Sequence, residues 1–304
     1  MRGGLYVRPW VYALLAFLGG VSFGIPSTFV KIAYQNGFNT AEVVGAQYLF
    51  GALLFWVTIL FIKKVKTPFS MVIKLAVSGV PMAITGVFYY NSLNYLDASI
   101  AIIMLFQFTW MGLIGEWIID RVQPTREKII SVTVLFIGSL FAVNLFGSSV
   151  DSLPIQGILL GLLGALFFTV FIFVSGRVGV STHPIRKSMF MTTGALIVIF
   201  IIYPPVTLFT EAIGDGLWIW GSILGIFGVV LPPILFSISM PQVGSGLGTI
   251  LSASELPTAV CMSIIVLNEH VSWIQWIGVV LVLLGVILPT ATTLYKQRRH
   301  RYGT

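Results

Sequence analysis

Residues 251–260 read LSASELPTAV, which places a carboxylate and a proline in the middle of an apolar segment. In a segment that spans a bilayer, an ionised side chain near the centre costs about 2.5 to 3.5 kcal/mol on insertion scales. Glu255 is therefore a candidate functional residue, and a carboxyl group that only pairs with another helix is the alternative. Pro257, two residues later, removes a backbone donor from the same segment.

The composition around this stretch excludes a water-soluble globule. Of the 304 residues, 57% are hydrophobic and 9% are charged, which leaves too little polar surface to cover a soluble protein of this size. A spanning helix takes about 20 apolar residues, so the chain can hold roughly ten spans with short connections and no separate soluble domain. The sequence predicts an all-α integral membrane protein with ten transmembrane helices.

Charged and turn-forming residues divide the apolar runs and predict where the ten spans begin. The starts lie near residues 10, 40, 71, 97, 126, 155, 185, 217, 243 and 272. When alternate loops are assigned to alternate sides, every Lys and Arg except Lys31 falls on one side. The positive-inside rule makes that side cytoplasmic, with both termini there. The net charge of +7 therefore indicates orientation in a plasma or inner membrane, and no nucleic-acid partner is predicted.

The two halves of the chain resemble each other. Residues 79–99 align with residues 225–245 at a constant offset of 146, so that Gly79 falls on Gly225. Because each copy holds five spans, an odd number, the second copy enters the membrane upside down. The sequence predicts two inverted five-helix repeats, residues 1–146 and residues 147–304, the second with a basic cytoplasmic tail. Such repeats can expose a midplane site to each side in turn.

Small residues around Glu255 recur at spacings of three or four, from Gly244 and Gly248 to Ser252. Such a face lets another helix approach closely, so we expect Glu255 to point into the bundle. By the repeat register, Gln107 in the fourth span is its neutral counterpart.

Several other side chains are candidates for a central cavity, with plain packing as the alternative for each. Gln107 and Trp110 share one helical face and are assigned to the cavity, whereas Glu116 lies on the opposite face. Glu116 is predicted to pair with Arg121 or Arg126. Further candidate lining residues for a solute or coupling ion are Gln47, Tyr48, Phe23, Tyr89 and Tyr90.

Prolines interrupt several predicted spans, and each removes a backbone donor. Pro26, Pro81 and Pro257 are candidate helix breaks around a central space, because a water-filled cavity can satisfy the freed backbone groups. Permanent kinks that only shape packing are the alternative.

Metal and catalytic chemistry find little support in the sequence. The three histidines are scattered without metal-ligand spacing, and no Ser–His pair or paired intramembrane aspartates occur at matching depth. No metal, cofactor or catalytic residue is predicted. An intramembrane enzyme and a non-transporting scaffold are kept as alternatives of a different class.

Three segments carry a resemblance to a known family: residues 89–99, residues 254–259, and Leu267-Asn268-Glu269 before the last span. With the glycine-marked first helix of each half, they resemble the EamA type of the drug/metabolite transporter superfamily, which has ten helices in two repeats. The first half departs from the family pattern at residues 107–110 and 118–121, so no particular substrate is carried over.

The resemblance implies a secondary transporter of small organic metabolites or drugs that works by alternating access, in the direction of export. Glu255 would bind a proton, another coupling ion or a cationic group of the solute. Uptake by a facilitative or exchange carrier is the alternative within transporters. A monomer and a homodimer both fit the sequence.

Overall fold

The structure, a computed structural model, describes residues 9–63, 65–96, 98–142, 154–206, 208–268 and 270–302. Within these ranges the regular elements are helical and no strand is present, as the all-α prediction requires. The α-helices are α1 Pro9–Gly24, α2 Pro26–Gln35, α3 Thr40–Thr58, α4 Phe69–Ser92, α5 Ala98–Phe106, α6 Phe108–Asp120, α7 Arg126–Ala142, α8 Ile155–Arg177, α9 Pro184–Ile202, α10 Trp218–Leu224, α11 Leu231–Val243, α12 Ser245–Ser252, α13 Glu255–Leu267 and α14 Trp273–Tyr302. Two further helical segments flank α10: Leu208–Leu217, which is kinked at Gly216 with φ of 98°, and the π-helical Gly225–Val230.

Eight segments of the described chain are long and apolar enough to cross a membrane. Four of them join two consecutive α-helices, because α1 continues into α2, α5 into α6, α10 into α11 through Gly225–Val230, and α12 into α13. The places predicted for the other two spans hold α7, which has 17 residues, and α14, whose apolar part is Trp273–Pro289. The chain is thus a multi-pass membrane protein with eight candidate spans.

Glycines allow the helices to pack closely. A side chain at Gly79 in α4 would overlap the backbone of Met191 in α9, and one at Gly194 in α9 would overlap the backbone of Ala76 in α4. Lipid tails are as apolar as the side chains, so close van der Waals packing has to replace the hydrophobic effect between helices. The outer surface instead carries large apolar side chains such as Ile201, which is 74% exposed.

The helices at the predicted fifth and tenth places, α7 and α14, pack on each other. Gly138 in α7 lies against Val282, and Gly278 in α14 lies against the backbone of Ala142. The same small-residue packing therefore joins the last helix of each half.

Three spans are broken near their middle. The first span breaks between α1 and Pro26, the fourth at Gln107 and the ninth at residues 253–254. Pro26 and Pro257 each lie in the first turn of the helix after a break. Backbone N–H groups in a first turn have no partner within the helix, so proline costs little there.

Pro81 does not break its helix. Helix α4 runs from Phe69 to Ser92 through this residue, so the prediction of a break there is wrong. A proline inside a helix removes one internal hydrogen bond. Thr85 Oγ1 donates to the Pro81 carbonyl at 2.8 Å, and the backbone contact of Gly79 with α9 fixes the adjoining turn. Packing on α9 therefore keeps the helix continuous.

Breaks and helix ends recur at nearly one spacing along the chain. The break at Gln107 and the break that begins at Ala253 are 146 residues apart, the offset at which the two halves align. Arg121 ends α6 and Asn268 ends α13, both in the left-handed conformation with φ of 55° and 53°. These equivalent features support two related halves.

Candidate solute and ion site

A cavity of about 70 Å³ lies beside the breaks of the first and ninth spans. Its wall combines helices α1 to α5 with α8, α13 and the segment Gly225–Val230, so both halves contribute. The structure brings together most of the residues predicted to line a solute or ion site: Phe23, Gln47, Tyr48, Tyr89, Tyr90 and Glu255. Pro26, predicted as a helix break, also lines this cavity.

The first span holds Glu255 in place. Ser254 Oγ donates to the carbonyl of Phe17 at 2.7 Å. Side chains at Gly20 and Gly24 would overlap Ser252 and the carbonyl of Glu255, respectively. Helix α1 therefore lies directly against the broken turn, and Glu255 begins α13 at the cavity wall.

One oxygen of the Glu255 carboxylate, Oε2, is buried and has no hydrogen-bond partner among the residues that the structure describes. Buried polar groups in proteins are nearly always paired, because an unpaired one loses the hydrogen bonds it made with water. A proton, a cationic group or a donor of a bound solute would satisfy this oxygen.

Polar and aromatic groups from α3 and α4 form the facing wall. Tyr90 donates its hydroxyl to Gln47 Oε1 at 3.1 Å, and Tyr48 donates to the carbonyl of Met82 at 2.9 Å. The phenyl ring of Phe23 lies edge-on to Phe168, with ring centroids 5.2 Å apart. The cavity therefore combines an apolar aromatic surface with few fixed polar groups, the usual make-up of a small-molecule site.

We expect Tyr90→Phe to weaken solute binding, because it leaves Gln47 Oε1 without its donor and frees the amide to rotate. The loss of one neutral hydrogen bond costs about 1 kcal/mol, which corresponds to roughly a fivefold rise in the apparent dissociation constant. The matched control is Tyr95→Phe, since Tyr95 is 47% exposed and lines neither this cavity nor the two that adjoin it. Equal binding by the two variants would contradict the expectation.

Two further cavities, of about 150 and 320 Å³, adjoin the first. Ser27 and Tyr89 line all three, and Lys31, one turn after Ser27 on α2, lines both of the larger ones. We call the two larger cavities the vestibule. The vestibule extends from the Glu255 cavity toward the loops that hold Asn94 and His270.

Gln107 and Trp110 are not among the residues that line these cavities. Gln107 Nε2 donates to the Ile103 carbonyl at 2.8 Å, and Trp110 Nε1 donates to Gln107 Oε1 at 2.7 Å. The amide of Gln107 thus bonds within its own broken span. Gln47, the other mid-span glutamine predicted for the cavity, does line it.

Glu116 pairs with a different cation from the two predicted. Lys128 Nζ lies 2.5 Å from Glu116 Oε2, so the prediction of Arg121 or Arg126 is wrong. Arg121 adopts the left-handed conformation that ends α6. The chain then turns, and Lys128, in the first turn of α7, returns beside α6.

Lys187 is a buried cation that sequence reasoning missed, because the positive-inside count places it with the basic residues of a cytoplasmic loop. It is 1% exposed and donates to the Ser175 carbonyl at 2.6 Å. Carbonyls in the last turn of a helix lack partners within the helix and attract cations. Lys187 therefore caps the end of α8. The signal in the sequence is its position one turn after Pro184, which places it in the first turn of a helix rather than in the loop.

Clusters of three or more His, Cys, Asp or Glu side chains able to hold a metal do not occur among the described residues. The prediction that the protein uses no metal stays a prediction.

Comparison with known proteins identifies the class of this bundle. The sequence profile of the EamA-like transporter family matches the chain twice, over residues 10–144 and residues 155–290. The chain belongs to the EamA-like transporter family. The EamA-like unit matches once in each half, and the predicted family resemblance is confirmed. Transporters of this family move small molecules across membranes.

A solved structure, named only "Crystal structure of protein", has the same fold as this EamA-like chain. It aligns with a TM-score of 0.74 and covers 92% of this chain and 98% of its own, at 15% sequence identity. At this identity the likeness shows the fold alone. Among curated proteins, none matches the chain.

Proposed function

We propose that this protein is a secondary transporter that moves small organic solutes across the cytoplasmic membrane by alternating access. The observation that carries the proposal is the buried, unpaired carboxylate oxygen of Glu255 at a cavity built from both halves. Residues 1–146 and 147–304 form two inverted five-helix repeats, with α7 and α14 as the fifth and tenth spans. Both termini are cytoplasmic, and the vestibule opens to the outside.

In this mechanism Glu255 binds a proton or a cationic group, and the aromatic wall holds the rest of the solute. Gln47 and Tyr90 orient the solute through their shared hydrogen bond. An ion gradient or exchange of solutes supplies the energy, and export is the proposed direction. The protein works as a monomer or a homodimer.

A ligand screen tests the binding part of the proposal. Purified protein is heated with amino acids, nucleosides or lipophilic cations, and a solute that binds only the folded state raises the melting temperature. At about 100 times its dissociation constant a ligand adds roughly 2.7 kcal/mol of stability. We expect one class to stabilise the protein and Glu255→Gln to reduce that stabilisation.

Proteoliposomes then test transport itself. An imposed pH gradient should drive accumulation of the stabilising solute above its equilibrium level, and collapse of the gradient should abolish this accumulation. Equilibration without accumulation would support a facilitative carrier. If no stabilising solute crosses the membrane, the transport proposal is wrong.

A further inference from the structure

On the side of the breaks away from the vestibule, α6 and α12 lie in direct contact. A side chain at Gly112 in α6 would overlap Thr249 in α12, and one at Gly246 in α12 would overlap the carboxylate of Glu116. On the vestibule side the continuations of these helices, α5 and α13, instead share a cavity, lined by Ile102 and Val260. The fourth and ninth spans therefore meet at one end and border open space at the other.

Two carboxylates, one turn apart on α6, meet the start of α12. Glu116 Oε1 accepts from the backbone N–H of Gly246 at 3.3 Å, and Asp120 Oδ2 accepts from Ser245 Oγ at 3.2 Å. The first N–H groups of a helix lack internal partners, and the helix dipole attracts negative charge there. Helix α12 is thus held at its first turn by the two acids.

Each of the two carboxylates also pairs with a cation from another helix. Lys128 of α7 lies 2.5 Å from Glu116 Oε2. Arg177, at the end of α8, donates to both oxygens of Asp120 at 2.6 and 2.5 Å and to Ser245 Oγ at 3.3 Å. Two ion pairs therefore join α6 to α7 and to α8, and hydrogen bonds join these groups to the start of α12.

These contacts suit a joint that opens. The side chains of Asp120 and Arg177 are about one-third exposed, at 33% and 36%, so water can replace their hydrogen bonds with Ser245 of α12 at small net cost. At Gly112 and Gly246 the nearest atoms across the contact belong to the small side chain of Thr249 and to the polar carboxylate of Glu116, so no bulky apolar side chain fills these two positions. Interlocked apolar side chains, by contrast, resist such separation.

We propose that the contact between α6 and α12, in which Glu116 and Asp120 hold the start of α12 while paired with Lys128 and Arg177, is a closed gate of the transport pathway. The gate opens when α6 and α12, the halves of the fourth and ninth spans away from the vestibule, move apart by bending at Gln107 and Ala253. This inference rests on the proposed transport function. We call the four charged residues the gate pairs and their end of the bundle the gate side.

Side-specific labelling of a cavity cysteine tests the gate without any solute. The parent carries Cys261→Ala and Ser27→Cys, because Ser27 lines all three cavities. A membrane-impermeant maleimide is applied to vesicles of either orientation. We expect the parent to react from the vestibule side. With Glu116→Gln and Asp120→Asn added, reaction from the gate side should rise about three- to tenfold, as the closed population falls.

The controls separate gating from loss of structure. Glu42→Gln makes the same chemical change in an exposed capping box on α3 and should leave both labelling rates unchanged. Unchanged gate-side labelling in the neutralised variant would overturn the proposal, and so would an equal rise from both sides, which indicates loosening of the whole bundle.

A cleavable cross-link gives a second measurement if the neutralised variant does not fold. Asp120→Cys and Ser245→Cys are introduced together with Cys261→Ala and joined by a short, cleavable bifunctional thiol reagent. The gate proposal expects the cross-linked protein to transport at less than about a tenth of the rate that returns on cleavage, while solute still binds from the vestibule. Transport at the same rate before and after cleavage overturns the gate.

Labelling tests the gate and solute movement tests the transport function, so failure of one proposal can be distinguished from failure of the other. A parent that moves no solute but switches its labelling side on neutralisation would contradict the transport function and support the gate. A parent that transports while its gate-side labelling never changes would do the reverse.

Discussion

Glu255→Gln is expected to abolish the dependence of transport on a pH gradient and, if the solute is cationic, to weaken its binding about 10- to 100-fold. Glutamine keeps the size of the side chain but can neither release a proton nor offer a negative charge. The carboxylate Oε2 is buried without a partner in the described structure, so its replacement breaks no existing ion pair there. The variant should therefore fold while losing coupling.

Transport in proteoliposomes across a series of external pH values measures this effect, and thermal stabilisation measures binding. Glu42→Gln is the matched control, because glutamine can replace glutamate in the capping box that Glu42 forms with Asn39. A transport rate and a pH dependence that match the unmodified protein would exclude Glu255 as the coupling site. Loss of binding with retained pH dependence would assign it to the solute alone.

Gly79→Ala is expected to lower the free energy of unfolding by about 1 to 3 kcal/mol, the range for overpacking a close-packed interior. The added methyl group would overlap the carbonyl of Met191, and backbone cannot move aside as a flexible side chain can. Helices α4 and α9 would have to separate along their contact. Since α4 carries Tyr89 and Tyr90, solute binding should fall with stability.

The same change at an open position is the control. Gly214 is exposed, and no atom lies within 4 Å of the place that an added methyl group would occupy. Gly214→Ala should therefore be neutral or stabilise by up to about 1 kcal/mol. Denaturant titration in mixed micelles compares the two variants. Equal unfolding free energies for both would show that the contact of α4 with α9 tolerates separation.

The predictions for Glu255 and Gly79 concern two properties of one bundle, an unpaired polar group at a cavity and the stability of the helix packing. The glycine contacts bring helices close enough for a membrane protein to fold without a hydrophobic effect between spans. The same closeness places α1 against the broken turn and leaves the Glu255 carboxylate facing a cavity. Stability and an unsatisfied polar site therefore come from the same packing.

The order and location of the helices could be predicted from the sequence, because insertion in a bilayer depends on the local sum of apolar residues. The same holds for the breaks next to Pro26 and Pro257, since proline acts on its own helix. Glu255 was identified because a mid-span carboxylate is costly wherever its helix packs.

Which residues share the cavity depended on the tertiary structure. Gln47 and Gln107 are both mid-span glutamines, and nothing local separates them. Gln47 accepts from Tyr90, 43 residues away, whereas Gln107 bonds to Trp110 and Ile103 in its own span. Only the packing of α3 against α4 decides between these bonds.

The gate pairs and the continuous helix at Pro81 likewise depend on neighbours that are distant in sequence. Arg177 and Asp120 are 57 residues apart, and the glycine beside Pro81 rests on α9. The sequence by itself determined a membrane bundle of two related halves with a buried acid. Because contacts between helices follow from three-dimensional packing, only the tertiary structure decided which side chains meet that acid and which close the opposite end.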